Sequence, residues 1–188
     1  MKCMSAKKQI IAATADRVFY REGFAAVGVD RLVADAGVAL ATFYRHYPSK
    51  EDAVLAALRH REAAFFRSLE RTEAAEQEPE AVLVLFDGLL SWAEAEGGNG
   101  CLFLRAAGDY PQTDAVRGEA LRHKQDYLAL IQERLVADGW GEAEAADLAP
   151  SLFLLLEGAV AAAFTLGDRR AVAAAKEIAR QMLRARQE

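Results

Sequence analysis

The chain has 188 residues, 53% of them hydrophobic, two cysteines and a formal net charge of −5. That is enough apolar material for a sizeable core, in one large domain or in a small domain joined to a larger one, and too few cysteines for a disulfide framework, which fits a reducing cytoplasm. The opening MKCMSAKK leads into an amphipathic pattern, so no signal peptide is expected, and the longest apolar run, 152–166, is broken by Glu157 and falls short of the roughly 20 residues of a membrane span.

Alanine and leucine dominate, β-branched residues are sparse, and no alternating run suggests a strand, so the sequence reads as all-α with about nine helices. The first covers 5–21, with Ile11, Ala15, Val18 and Phe19 facing inward and Gly23 ending it. Two short helices follow, at 29–36, closed by Gly37, and at 40–47. Ser49 caps a fourth helix running to about 73, with Asp52 three residues on as the capping-box acid. A loop at 76–80 contains Pro79, and a fifth helix runs to 94. Gly97, Gly98 and Gly100 connect it to a short sixth helix at 101–108, and Tyr110 and Pro111 make a turn. The seventh spans 114–138, with Leu121, Leu128, Ile131 and Leu135 on one side. Gly139, Trp140 and Gly141 break it. The eighth spans 142–166, where Pro150 is expected to kink the helix or reset its start. Asp168 caps the ninth. Beyond alanine enrichment there is no repeat or low-complexity segment.

Charge is unevenly placed. Residues 1–50 carry eight basic and four acidic side chains, or +4, and the remainder carries 15 basic and 24 acidic, or −9. A basic head on an acidic body expects a polyanion at the head alone. The same head holds two short helices joined by a tight turn, the layout of a helix-turn-helix. Val29, Leu32, Val33, Ala36 and Val38 are its expected core, and Phe43 and Tyr47, four apart, are expected to pack inward. Thr42, Tyr44, Arg45 and His46 then face outward, although Tyr44 and His46 each also suit a packing role. The hydroxyls of Thr42 and Tyr44 suit phosphate oxygens, and Lys50 places a cation at a helix N-terminus, a favourable phosphate position. Leu40 and Ala41 can meet thymine methyl groups. Arg45 suits guanine or phosphate, and Arg31 and Asp30 are further candidates.

REGF (21–24), VDRLVADAGV (29–38), TFYRHY (42–47) and SKE (49–51), in this order near the N-terminus, resemble the DNA-binding domain of the tetracycline-repressor (TetR) family of transcriptional regulators. The resemblance covers residues 5–55. It implies backbone contacts at Thr42, Tyr44, His46 and Lys50, a DNA-binding domain at 1–50, and an effector-binding and dimerisation domain at 51–188. The sequence departs from the family at Val27 and Gly28, where hydroxyl residues are frequent, and at Ala39, where a serine cap is. A lost cap costs a helix about 1 kcal/mol.

For the body, the resemblance implies a homodimer built from the last two helices, with Leu155, Gly158, Ala159, Ala162, Ile178 and Met182 as candidates. Two recognition helices would then lie about one DNA turn apart, roughly 34–36 Å. It also implies a small-molecule effector cavity, for which Phe86, Trp92, Phe103, Tyr127 and Phe153 are the candidate lining, suited to a largely apolar ligand. Glu157 is either a seam residue or a ligand anchor. Cys101 is either a packing cysteine or an electrophile sensor. His46, His60 and His123 lack metal-ligand spacing, no cofactor is implied, and no nucleophile elbow, phosphate loop or acid/base pair argues for an enzyme. The expected function is a ligand-responsive repressor released from a palindromic operator. A helical scaffold or interaction protein is the alternative.

Overall fold

The computed structural model describes residues 5–75, 80–95 and 99–186, so Cys3, Pro79, Gly97 and Gly98 lie outside the described residues. Among the described residues there are nine α-helices and no strand: α1 (Ala6–Glu22), α2 (Val29–Ala36), α3 (Leu40–His46), α4 (Lys50–Ala75), α5 (Val84–Ala95), α6 (Leu102–Asp109), α7 (Asp114–Ala137), α8 (Glu142–Leu166) and α9 (Arg170–Ala185). Contacts divide the chain into two compact units. One holds the described residues through Ala64 together with Leu102–His123. The other holds Phe65–Cys101 and the residues from Lys124 onward. The boundary falls within α4 and α7, each of which contributes one half to either unit.

In the first unit, α1 packs against α2 and α3 through the fully buried Ile11, Ala15, Val18 and Phe19. The Ser5 hydroxyl caps α1 by accepting from Lys8 N–H. Gly37 ends α2 in the left-handed conformation (φ 62°) that a side chain adopts only with strain. No side chain caps α2 or α3, whose N-caps are Gly28 and Ala39, so tertiary burial must hold these short helices. That burial is narrower than the sequence suggests. Leu32 and Phe43 are fully enclosed, whereas Val29, Val33, Ala36 and Val38 are only half-buried, because a helix of two turns between α1 and α3 encloses few of its side chains.

α4 opens with a reciprocal capping box. Asp52 N–H donates to Ser49 Oγ at 3.0 Å, and Ser49 N–H donates to Asp52 Oδ2 at 3.0 Å. Two buried carboxylates, Asp16 and Glu119, gather charged partners nearby. Asp16 accepts from Arg61 Nε and lies 2.9 Å from His60 Nδ1, and the Arg61 guanidinium sits 3.9 Å over the Tyr20 ring. Glu119 accepts from Arg59 at 2.9 Å and from Arg122 at 2.6 Å. Burial pushes the Glu119 carboxyl up, but the hydrogen bonds and charges of the two arginines outweigh burial and hold it below the usual range.

In the second unit, α8 and α9 pack on each other and both pack on α5. α8 turns Leu148, Leu152, Leu156 and Ala159 inward, and α9 meets them with Val172, Ala175, Ala179 and Leu183. Each large apolar side chain so enclosed contributes roughly 1.5–3 kcal/mol. α5 reaches its neighbour closely at Gly88, where a Cβ would collide with Leu69 Cδ2. Pro150 does not reset α8: the helix runs unbroken through it, with its ring on the exposed side. The unbroken helix has 25 residues, with a mean hydropathy of 1.7 over 18 of them. By length and composition it is therefore long and apolar enough to cross a membrane, which corrects the expectation drawn from 152–166 alone. Asp168 acts two residues ahead of α9, accepting from Arg170 N–H at 2.9 Å.

Candidate nucleic-acid interface

α3 is two-faced. Phe43 and Tyr47 bind it to the unit below, their rings 6.0 Å apart, with the Phe43 ring also edge-on to Tyr44 at 5.4 Å. The Tyr47 hydroxyl donates to the Lys8 carbonyl at 2.9 Å, and the Lys8 ammonium lies 5.6 Å from the Tyr47 ring centroid. The opposite face is open. Tyr44 is 47% exposed and Leu40 45%, with Ala41 and Arg45 exposed beside them. Leu40, Ala41, Tyr44 and Arg45 therefore form one solvent-facing strip on a rigidly anchored helix. Tyr44 is not a core residue.

The other candidates are tied into the unit. Thr42 is half-buried. His46 Nε2 lies 3.3 Å from Ser5 Oγ, which links the end of α3 to the start of α1. The Lys50 ammonium donates to the Phe24 carbonyl at 2.6 Å, bracing the loop after α1. Two of its three protons remain for another acceptor. Arg31 is engaged by Asp35 Oδ1 and Glu22 Oε1, both at 3.0 Å. Such exposed pairs are worth only about 0–1 kcal/mol, so a phosphate can displace them. Arg45 makes no ion pair among the described residues.

The anchor has a measurable signature. Burial pushes the Tyr47 phenol up to about 12 from its ordinary 10. The unfolded phenol ionises above pH 10 while the folded one keeps its proton, so the unfolded state binds fewer protons and stability falls as pH rises through that window. Tyr47→Phe removes both the alkaline loss and the bond to Lys8. We expect it to lower stability at pH 8 by about 0.5–1.5 kcal/mol and to show a smaller further fall at pH 11 than the parent, read by urea unfolding at the two pH values.

The candidate effector residues do not form one group. Phe86, Trp92, Tyr127 and Phe153 belong to the core of the second unit. Phe103 belongs to the first, stacked 3.6 Å from His123. Phe86 is enclosed, whereas Trp92 and Phe153 are half-buried. Glu157 is ion-paired within its own subunit, accepting from Lys124 Nζ at 2.6 and 2.7 Å. Cys101 precedes α6, half-buried, with Sγ 3.4 Å from the same ammonium. A groove of about 740 Å3, whose lining includes Lys8, Ile10, His46, Leu55 and Arg59, lies in the first unit, and the sequence carried no sign of it.

Of the candidate dimer residues, Gly158 and Ile178 are exposed, and Leu155, Ala162 and Met182 are half-buried. Ala159 is 4% exposed and lies in the chain's own core cluster, off the exposed stripe. Sequence reasoning missed Leu154 and Leu166, which are 69% and 74% exposed. The signal was present: Leu154, Gly158, Ala161 and Thr165 recur at helical spacing opposite the buried Leu148, Leu152 and Leu156.

A short, anchored helix with an open polar and apolar strip, preceded by a second short helix and a glycine turn, defines a helix-turn-helix. Residues 11–57 match the family described as "Bacterial regulatory proteins, tetR family". Over 54 residues the chain is 37% identical to the HTH-type transcriptional regulator YerO of Bacillus subtilis (strain 168), a match spanning 29% of this chain and 19% of that protein. Along its whole length it is similar to SCO4454, a TetR-family transcriptional regulator from Streptomyces coelicolor, with a TM-score of 0.83, 28% identity, and coverage of 100% of this chain and 93% of that one. The reduced form of E. coli NemR shares the fold at a TM-score of 0.81 and 20% identity, over 94% of this chain and 96% of that one. Residues 11–57 thus carry a TetR-family DNA-binding domain, and the chain as a whole is similar to a TetR-family regulator in fold. Members of that family bind DNA, typically as dimers, and are not enzymes.

Proposed function

We propose that the protein is a ligand-responsive homodimeric repressor that holds a palindromic operator in the cytoplasm and releases it when a small, largely apolar effector binds. Residues 1–50 read DNA, and 51–188 carry the effector and the dimer seam. The observation that carries the reading is the exposed strip Leu40, Ala41, Tyr44 and Arg45 on a helix whose other face is locked by Phe43 and Tyr47. An exposed arginine can fork onto guanine, apolar side chains can meet thymine methyls, and a phenol can reach phosphate. The apolar outer stripe of α8 supports burial against a second copy rather than lipid, because the helix's other stripe is already committed to the subunit core. Effector binding in the body would tilt the continuous α4, change the spacing of the two reading heads, and so lower operator affinity.

Gel shifts with the duplex upstream of the protein's own gene, in excess competitor DNA, test this. Arg45→Ala and Tyr44→Ala remove exposed side chains, so both variants keep the parent's unfolding midpoint. Arg45→Ala is expected to weaken operator binding by about 1–3 kcal/mol, roughly tenfold or more. Tyr44→Ala, losing a phosphate contact of no sequence preference, should weaken all duplexes alike. Parental affinity in both variants would refute the contacts.

A further inference from the structure

This inference rests on the effector-binding reading above and narrows it to one atom and one class of molecule. Tyr127, on α7, is 4% exposed, and its hydroxyl is a buried oxygen with no hydrogen-bond partner among the described residues. Buried polar atoms in native proteins almost always have a partner, and one left without it opposes folding. Nothing in the local packing requires a hydroxyl there, since phenylalanine would fill the same space without the penalty. The oxygen is thus a group waiting for a partner that the described residues do not supply.

Its surroundings define that partner. The Tyr127 ring is held edge-on by Phe65 at 5.2 Å and flanked by Phe153 at 6.3 Å. Both flanking rings are half-buried, whereas the Tyr127 hydroxyl is buried. One turn before Tyr127, Lys124 spends its protons on both Glu157 oxygens and on Cys101 Sγ, and its ammonium lies 6.0 Å from the Phe153 ring centroid. The positive and negative charges beside the phenol are therefore already matched. An anionic ligand would meet Glu157 and a cationic one Lys124, each losing hydration without a free countercharge. Burial, with the Glu157 charge second, pushes the Tyr127 phenol far up, so the oxygen keeps its proton and acts as a donor. What remains on offer is one O–H donor on a ring flanked by two aromatic rings, near a matched ion pair.

We propose that the Tyr127 hydroxyl is the polar anchor of the effector site, and that the effector is an uncharged aromatic molecule carrying a carbonyl-type acceptor. The ring system lies against Phe65 and Phe153, and the acceptor takes the Tyr127 proton. Placing a buried hydroxyl to be satisfied only by ligand gives selectivity, because an analogue without the acceptor leaves that hydroxyl unpaired.

Calorimetric titration of the full-length protein and of Tyr127→Phe tests this, with 1-acetonaphthone, 1-ethylnaphthalene of like shape without the acceptor, and 1-naphthoate as the anion. The parent is expected to bind the ketone at least tenfold more tightly than either other probe. Tyr127→Phe is expected to bind ketone and hydrocarbon alike, with an unfolding midpoint no lower than the parent's and an unchanged operator affinity. No binding of the ketone by the parent, preference for the naphthoate, or a ketone preference that survives in Tyr127→Phe would each overturn the assignment. Gel shifts on the same samples separate the two levels. Loss of selective operator binding by the parent defeats the regulator reading itself, whereas selective binding by a protein indifferent to the ketone defeats the anchor alone.

Discussion

Replacing Leu154 and Leu166 together with glutamate should leave a folded monomer whose affinity for a two-half-site duplex is lower by about 100-fold or more. Leu154 is 69% exposed on the outer stripe of α8 and Leu166, 74% exposed, is the helix's last residue, so neither contributes to the chain's own core. In a twofold dimer each appears twice at the seam, and four carboxylates would have to be desolvated there without partners. A single reading head makes only half of the contacts. Linking two heads raises affinity about 10²–10⁴-fold with no new contact, and that gain is what the substitution removes. Sedimentation equilibrium reports the oligomeric state, and operator titration of the same sample reports the affinity. A variant that remains dimeric would move the seam elsewhere, and a monomer that binds the operator as tightly as the parent would remove the need for a seam.

Asp16→Ala should destabilise the protein by about 3 kcal/mol, within the range for removing one partner of a buried ion pair, and should lower the midpoint of thermal unfolding by roughly 6–12 °C. Asp16 is 6% exposed and receives Arg61 and His60 from α4, so it bolts α1 to the helix that continues out of the first unit. Without it Arg61, 8% exposed, loses its carboxylate partner. Calorimetric scans of parent and variant measure the shift. A change under 2 °C would mean that the pair is replaceable and that α1 is held by its apolar face alone.

Much of this was legible in local chemistry. Ser49 and Asp52 stand at capping-box spacing, and both reciprocal bonds form. Gly37 ends α2 for want of a Cβ, and the four-residue spacing of Phe43 and Tyr47 fixes which side of α3 is open. What escaped was set by partners distant in sequence. The Phe24 carbonyl 2.6 Å from Lys50, which leaves two of its protons for a phosphate, could not be read from spacing. Phe103 looks like the other aromatics, yet its ring stacks on His123 in a different unit. Ala159 and Gly158 are neighbours with the same small-residue character, and only helix phase separates the core-facing residue from the exposed one. Pro150 signals a break, yet α8 continues through it. No pattern of residue types reveals that the Tyr127 hydroxyl lacks a partner, because that depends on where every neighbouring donor and acceptor ends up.

The central claim, that two copies of the Leu40–Arg45 strip read duplex DNA together, is tested most directly by selecting bound sequences from a random pool of duplexes with the purified full-length protein. The enriched sequences should form an inverted repeat whose half-site centres lie about one helical turn, roughly 10 base pairs, apart, and Arg45→Ala should relax the preference within each half-site. A pool that stays random, or that yields a single unrepeated site, would contradict it.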